Sequence, residues 1–345
     1  MSLSSQENKL RYRNVAIMIV LGVVFGSAYN ALYYPHTLTE YLEAVSISIF
    51  IGGSLGFAEE FLFKRFFHTI AFYKVLFIRT TLYSLFTCAV LSLVLSIEIA
   101  YDEELSYFNA LIFYFRSPMF TRDYFFTIAF IFIMIFAVQV IQIVGLNNMI
   151  RLMLGRYHKP REVKRIFMFI DLNDSTSIAE QLGNERYSAF LREYFFDVSD
   201  AINIYHGEIY QYVGDEVTVV WPLRGKGSDP INCFFKIQEI ISEKKERYLK
   251  KYNLIPEFKA GIHAGKVLIT EVGKMKKELV YHGDVVNTTS RIMGNCKELH
   301  QQLLISEDLL SRVGNTAFDW QEQGELLLKG KTQKIKLYGV EKSDL

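Results

Sequence analysis

Four apolar runs constrain this chain before anything else does. Roughly Asn14–Tyr34, Ala44–Phe63, Val75–Ile97 and Tyr124–Val144 are each long and apolar enough to cross a bilayer as a helix. All four precede residue 150, and they explain a hydrophobic fraction of 50% and a mean hydropathy of +0.15 over 345 residues. The first run is too long for a secretory leader and lacks a small-residue cleavage site. Basic residues cluster at Lys9, Arg11 and Arg13, at Lys64 and Arg65, and from Arg151 to Arg165. The intervening connections instead hold Pro35-His36 and Asp102-Glu103-Glu104. The positive-inside rule then predicts a multi-pass protein of the inner (plasma) membrane, in contact with lipid, with both termini cytoplasmic.

Charges at membrane depth need partners or a route to water. Glu59 and Glu60 lie near the end of the second run, and Lys74 and Arg79 near the matching end of the third. A carboxylate–Arg79 clamp between neighbouring helices is expected. The segment Tyr101–Asp123 carries Tyr107, Phe108, Phe113, Tyr114 and Phe115, a composition suited to lying along the membrane surface, with an extracellular or membrane ligand as the alternative reading. Residues 148–164 read as a cytosolic helical linker broken at Gly155 and Pro160. A net charge of +1 supplies no field for nucleic acid. Cys88, Cys233 and Cys296 show no paired spacing, and the histidines show no zinc-ligand spacing.

From Arg165 the pattern changes to strand, helix, hairpin, helix, hairpin, helix, strand. Helices are expected over about Thr176–Tyr205, Asn232–Tyr252 and Val285–Leu299. Glu257–Gly265 and Lys266–Glu271 read as strands meeting at Ala264-Gly265. The fold class is therefore an α-helical membrane domain of four transmembrane helices (residues 1–147) followed by an α+β unit close to the ferredoxin-like type (165–345).

Three stretches of that second unit carry chemistry. Gly207–Pro222 reads GEIYQYVGDEVTVVWP, two β-rich runs divided at Gly214-Asp215, a strong hairpin signal with an acid at its tip and Glu216 behind it. Upstream, an apolar strand from Ile166 to Ile170 runs into Asp171, after which Asn173, Asp174, Ser175 and Thr176 offer helix-capping chemistry. A carboxylate beside a new helix N-terminus suits a metal-bound polyphosphate, the acid taking the metal and the backbone amides taking phosphate oxygens. If that strand lies beside the hairpin, Asp171 and Asp215 converge on one metal site. In the third stretch, LVYHGDVVNTTSR, Asn287 and Arg291 are four apart and share a helix face.

With F-x-D-L-x-x-S-T, V-G-D-E-V and G-D-x-V-N-x-x-S-R in this order, the sequence resembles the class III nucleotidyl cyclases over about residues 160–342. LLLKGKTQKIKLYGV matches that family's closing strands. The resemblance implies conversion of ATP to 3′,5′-cyclic AMP and pyrophosphate. It implies two Mg²⁺ or Mn²⁺ ions per site on Asp171 and Asp215, with the Leu172 carbonyl as a further ligand. Amides of Asn173, Asp174, Ser175 and Thr176 would cradle the β- and γ-phosphates, and Lys329 would bind phosphate. Asn287 would orient the ribose and Arg291 would stabilise charge at the α-phosphate. It further implies a homodimer in which the aspartates and the Asn287/Arg291 pair of one site come from different chains. At the base-reading positions stand Gln211 and Val280, which match neither the adenylyl nor the guanylyl pattern. The alternatives are a guanylyl or pyrimidine nucleotide cyclase of the same mechanism, or a membrane receptor whose cyclase domain only binds nucleotide. The likeness of YVGDEV to the G-G-D-E-F of diguanylate cyclases fails at Val213, where the second glycine would stand.

Overall fold

A computed structural model describes residues 3–33, 37–63, 71–144, 149, 155, 159–223, 227–275, 277–313, 318–327 and 334–342. The chain divides into two compact units, Met1–Met153 and Leu154–Leu345.

The first unit is helical: α1 (Leu3–Tyr33), α2 (Leu38–Phe57), a π-helical stretch (Ala58–Phe63), α3 (Phe72–Asp102), α4 (Tyr107–Arg116) and α5 (Pro118–Val144). Four spans within it, Arg11–Tyr33, Tyr41–Phe63, Phe72–Asp102 and Pro118–Ile141, are long and apolar enough to cross a membrane, in the places where the apolar runs lie. The Arg79 clamp forms, with Arg79 Nη1 2.8 Å from Glu59 Oε1 and the Tyr83 hydroxyl donating to Glu59 Oε2 at 2.6 Å. The neighbouring Glu60 accepts from Asn14 Nδ2 at 2.8 Å. Both carboxylates stand on the π-helical stretch, whose wider turn a 3.6-residue period does not reveal. The aromatic segment 101–123 folds mostly into α4 and the start of α5. Within it Ala110 and Tyr114 are buried while Phe108, Phe113 and Phe115 face outward. Tyr114 donates to Asp123 Oδ2 at 2.9 Å, which holds α4 against α5.

The second unit is built on a mixed sheet in the order β2-β3-β1-β4-β6-β8-β7, with β5 paired to β4 alone. Its elements are β1 (Arg161–Leu172), α6 (Ser175–Ile204), β2 (Glu208–Val213), β3 (Glu216–Pro222), α7 (Asp229–Glu243), α8 (Lys245–Tyr252), β4 (Phe258–Val272), β5 (Glu278–His282), α9 (Asp284–Gly294), β6 (Leu303–Ser306), α10 (Glu307–Leu310), β7 (Phe318–Leu326) and β8 (Ile335–Lys342). The central strand β1 is apolar on both faces because both are covered. Ile166, Met168, Ile170 and Leu172 join the core under α6, α7 and α8, while Phe167 and Phe169 pack with Val285 and Met293 of α9 on the other side. Each such fully buried side chain contributes about 1.5–3 kcal/mol. α9 sits directly on β4, since a Cβ at Gly261 would fall 2.4 Å from the Met293 nitrogen.

Three expectations need correction. The residues from Glu257 to Glu271 are not two strands meeting at Ala264-Gly265. They form one continuous β4, paired with β1 along its length from Leu172↔Phe258 to Arg161↔Ile269. Gly265 is instead a close-packing position, where a Cβ would lie 2.5 Å from Val285 Cγ2. β1 begins at Arg161, so the last residues of the expected linker are already strand. The helix expected over 232–252 divides at Lys244 into α7 and α8. Most of residues 148–158 lie outside the described residues.

Candidate functional site

The Gly214-Asp215 turn forms as expected, with Gly214 at a φ of 63° between β2 and β3. β3 pairs antiparallel with β1 so that Asp171 stands opposite Glu216, while on β1's other side Asp171 stands opposite Lys259 of β4. The strand register therefore gathers Asp171, Asp215, Glu216 and Lys259 at one end of the sheet. Lys259 Nζ lies 2.5 Å from Asp171 Oδ2, an ion pair that is partly open to solvent. Lys259 carries no local motif and lies 88 residues from Asp171, so only the register could have found it.

Three carboxyls against one ammonium leave an excess of negative charge. Burial raises the Asp171 carboxyl above its ordinary value; Lys259 opposes that, and the neighbouring Asp215 carboxyl adds to it. Burial, with the Asp171 charge beside it, pushes Glu216 up to about 7. Tyr187 of α6 is raised by burial and by Asp215, against a hydrogen bond with Ser175. Behind them Tyr194 is fully buried and its hydroxyl has no hydrogen-bond partner among the described residues, with burial and then the charges of Asp171 and Asp215 holding it protonated. A hard divalent cation fits this donor set. It would bind carboxylate oxygens that now repel one another, and relieve that repulsion.

The helix following the strand begins at Ser175, but the expected capping bond is not made: Asp174 stands before it in the left-handed region at a φ of 50°, and its side chain makes no capping hydrogen bond. The Leu172 side chain is buried in the core. One expected amide is already engaged: the Asn173 N–H donates to the Glu257 carbonyl at 2.8 Å. Of the amides expected to cradle phosphate, those of Asp174, Ser175 and Thr176 remain, where the first turn of a helix leaves its N–H groups unpaired.

On α9, Val285, Thr288, Thr289, Ile292 and Met293 are buried, which turns Asn287 to solvent and leaves Arg291 half-buried. Among the described residues, neither side chain has a hydrogen-bond or ion-pair partner, and none links them to Asp171, Asp215 or Glu216. A single chain thus brings together the acids but does not join them to Asn287 and Arg291. Gln211 is exposed on β2 opposite Thr218, beside a register irregularity, and Val280 lies on β5 opposite Thr270. Their neighbours Tyr210 and Tyr281 touch, with ring centroids 5.1 Å apart, which ties β2 to β5 beside both positions. Lys329 lies outside the described residues.

The adenylate and guanylate cyclase catalytic domain family matches residues 159–342. "Adenylate cyclase 2" of Rhizobium meliloti is 39% identical over 204 residues, covering 58% of this chain and 56% of that protein. "Adenylate cyclase 1" of the same organism is 27% identical over 178 residues, covering 50% of this chain and 27% of that protein. The chain therefore spans only about a quarter to a little over half the length of these relatives. Among solved structures, the adenylyl cyclase CyaB of P. aeruginosa matches 54% of this chain and 97% of its own, at 21% identity and a TM-score of 0.47.

Proposed function

We propose, since the chain belongs to the adenylate and guanylate cyclase catalytic domain family, that it is a membrane-anchored adenylate cyclase working as a homodimer. In the reaction the ribose 3′-oxygen forms a bond to the α-phosphorus, the bond from that phosphorus to the bridging oxygen of pyrophosphate breaks, and the hydroxyl proton is released. The observation that carries the reading is the convergence of Asp171, at the end of β1, with Asp215, at the tip of the β2–β3 turn.

Asp171 and Asp215, with the Leu172 carbonyl, would hold the metal. When bound, two Mg²⁺ or Mn²⁺ ions supply the charge that acidifies the hydroxyl and neutralises the departing pyrophosphate. The residues themselves bind and orient. The Asp174–Thr176 amides face the β- and γ-phosphates, with Lys329 on phosphate as well. Asn287 positions the ribose, and Arg291 supplies a preorganised donor to charge growing at the α-phosphate. The unpartnered Asn287 and Arg291 side chains on the outer face of α9 support their service to a second chain's aspartates. Adenine as the base is supported by the named activities of the relatives, with Gln211 able both to donate and to accept. Residues 1–147 would form the membrane domain, 148–164 the linker and 165–345 the catalytic domain, with both termini cytoplasmic at the plasma membrane. The four apolar helices and the basic clusters support that arrangement.

The deciding experiment incubates the purified protein with each of the four ribonucleoside triphosphates and Mg²⁺ or Mn²⁺ and identifies products by mass. Cyclic AMP from ATP in excess of the other cyclic nucleotides is expected. Predominant cyclic GMP would overturn the adenine assignment, and the absence of any cyclic product would overturn the activity.

A further inference from the structure

Between α1, α2, α3 and α5 of the helical unit lies a cavity of about 190 Å³ whose wall is mostly apolar and aromatic, with Phe25, Phe126 and Phe130 in it. Each of the four helices also sets one uncharged polar side chain into that wall: Asn30 of α1, Ser48 of α2, Thr87 of α3 and Thr127 of α5. All four are more than nine-tenths buried, with exposures of 6–8%. Among the described residues, none of these side chains makes a hydrogen bond.

A serine or threonine within a helix can satisfy its hydroxyl on the carbonyl one turn back. Elsewhere this unit does so: Ser46 Oγ donates to the Leu42 carbonyl at 2.8 Å and Ser96 Oγ to the Ser92 carbonyl at 2.6 Å. The three hydroxyls on the cavity wall do not, and a bilayer interior supplies no water to make up the loss. The charged groups on the wall are already committed or exposed. Asp123 accepts from the Tyr29 and Tyr114 hydroxyls and from Arg122 Nε, Glu98 is engaged, and Glu43 is exposed. Among the described residues no Lys, Arg or His lines the cavity.

We propose that this cavity binds a small uncharged aromatic molecule carrying a hydroxyl or carbonyl group. Its ring packs on Phe25, Phe126 and Phe130, and its polar group takes up the free hydrogen-bonding capacity of Asn30, Ser48, Thr87 and Thr127. A carboxamide and a hydroxyl both donate and accept, so they serve either polar group. An ion of either sign would enter without a free counter-charge to meet it, which is costly at this depth. A cavity of roughly 150 Å³ is enough for benzene, so this one has room for a ring and a substituent. Water alone would satisfy the polar groups but leave the three phenyl rings wetted. An apolar wall with a few convergent polar groups is the usual make-up of a ligand pocket. The proposal stands on the helical unit alone and does not depend on the catalytic reading.

The test follows 4-fluorophenol by fluorine NMR with full-length protein in lipid nanodiscs, taking empty nanodiscs as the background. Saturable binding is expected, weakened about tenfold in the double variant Ser48→Ala/Thr127→Val, which removes two hydrogen-bonding groups. Ser46→Ala, whose hydroxyl is bonded within its own helix, should bind as the wild type does. The two hydroxyls hold nothing else in the fold, so the double variant should keep the wild-type size-exclusion profile; if it does not, Thr87→Val takes its place. Fluorobenzene, which lacks the polar group, and the charged 4-fluorobenzoate and 4-fluorobenzylamine should each compete at least tenfold more weakly. Signal no greater than in empty nanodiscs would mean a cavity that holds water only, and would overturn the site. So would fluorobenzene or either charged analogue competing as well as the phenol, or unchanged affinity in the folded hydroxyl variant. Nucleotide turnover is not read here, so its absence would bear on the catalytic reading only.

Discussion

Two clusters of acids in the sheet-bearing unit show what separates a scaffold from a site. On α6, Asp197 is fully buried and answered by Lys244 Nζ at 2.6 Å, Arg247 Nη2 at 2.5 Å and the Tyr248 hydroxyl at 2.8 Å. One turn earlier, Glu193 takes Arg247 Nε at 2.8 Å, Lys251 Nζ at 2.7 Å and the Tyr252 hydroxyl at 2.8 Å. At the end of β1, Asp171, Asp215 and Glu216 share Lys259. The carboxyls respond in opposite directions. Burial alone would raise Glu193, but its bonds to Lys251 and Tyr252 and the nearby positive charges hold it below the ordinary glutamate value. Glu216 goes up to about 7. A cluster whose acids are outnumbered by bases stitches α6 to Lys244, at the junction of α7 and α8, and to α8 itself, whereas a cluster left acid-rich is poised to receive a cation.

That contrast can be broken most sharply by truncating one acid from each cluster. Asp171→Ala or Asp215→Ala should lower turnover about a thousandfold while leaving the urea midpoint nearly unchanged, since the loss is several kcal/mol of transition-state charge stabilisation. Substantial residual activity with Mn²⁺ would remove the pair from metal binding. Asp197→Ala should do the reverse, costing about 1–3 kcal/mol of stability by leaving the buried Tyr248 hydroxyl without its acceptor, while Lys244 and Arg247 can turn to solvent. Turnover per folded molecule should hold. The chain's 2 tryptophans, Trp221 and Trp320, both belong to this unit, so intrinsic fluorescence of the full-length protein follows its unfolding.

A third prediction sharpens the comparison by asking whether each cluster is complete within one chain. Asp197 is; the proposed site is not. Asp215→Ala and Arg291→Ala should each be inactive alone, yet co-expression should restore about a quarter of wild-type activity, because half the dimers are mixed and each keeps one intact site. Mixed dimers without activity would mean that the site does not draw on two chains.

The smallest effect concerns acid. Because the folded-state carboxyl of Glu193 is lowered, its contribution is present above the unfolded value of 4.5 and is lost as pH falls through the lower folded value. Glu193→Gln should therefore be less stable than the wild type near neutrality and converge with it as pH drops below 4.5. A gap that persists unchanged into acid would mean that the ion pairs around Glu193 carry no stability.

Legibility followed the range of each signal. The four spans, the Gly214-Asp215 turn, the strand into Asp171 and the α9 face were readable because each is written in consecutive residues. Lys259 was not, because its meaning comes from a pairing 88 residues away. Gly265 misled for a related reason: a glycine marks either a turn or a close approach, and only the packing of Val285 decides which. The Asp197 cluster escaped because a lone acid on a helix looks solvated until the helices that bury it are in place. The π-helical stretch under Glu59 and Glu60 leaves no periodic trace at all.

The strand β1 also has a mechanical meaning. The chain enters the catalytic sheet at Arg161, and Asp171 stands near the far end of a 12-residue strand, roughly 33 Å away at ~3.3 Å per residue. Ladders hold it on both sides, from Arg161 to Leu172 against β4 and from Arg165 to Asp171 against β3. A pull at Arg161 would load those bonds in shear, and slipping by one residue would turn every core side chain of β1 to the wrong face. The strand therefore behaves as a stiff rod clamped along its length. Force arriving from the preceding chain would move the sheet as one body and leave Asp171, Asp215 and Lys259 in fixed relation.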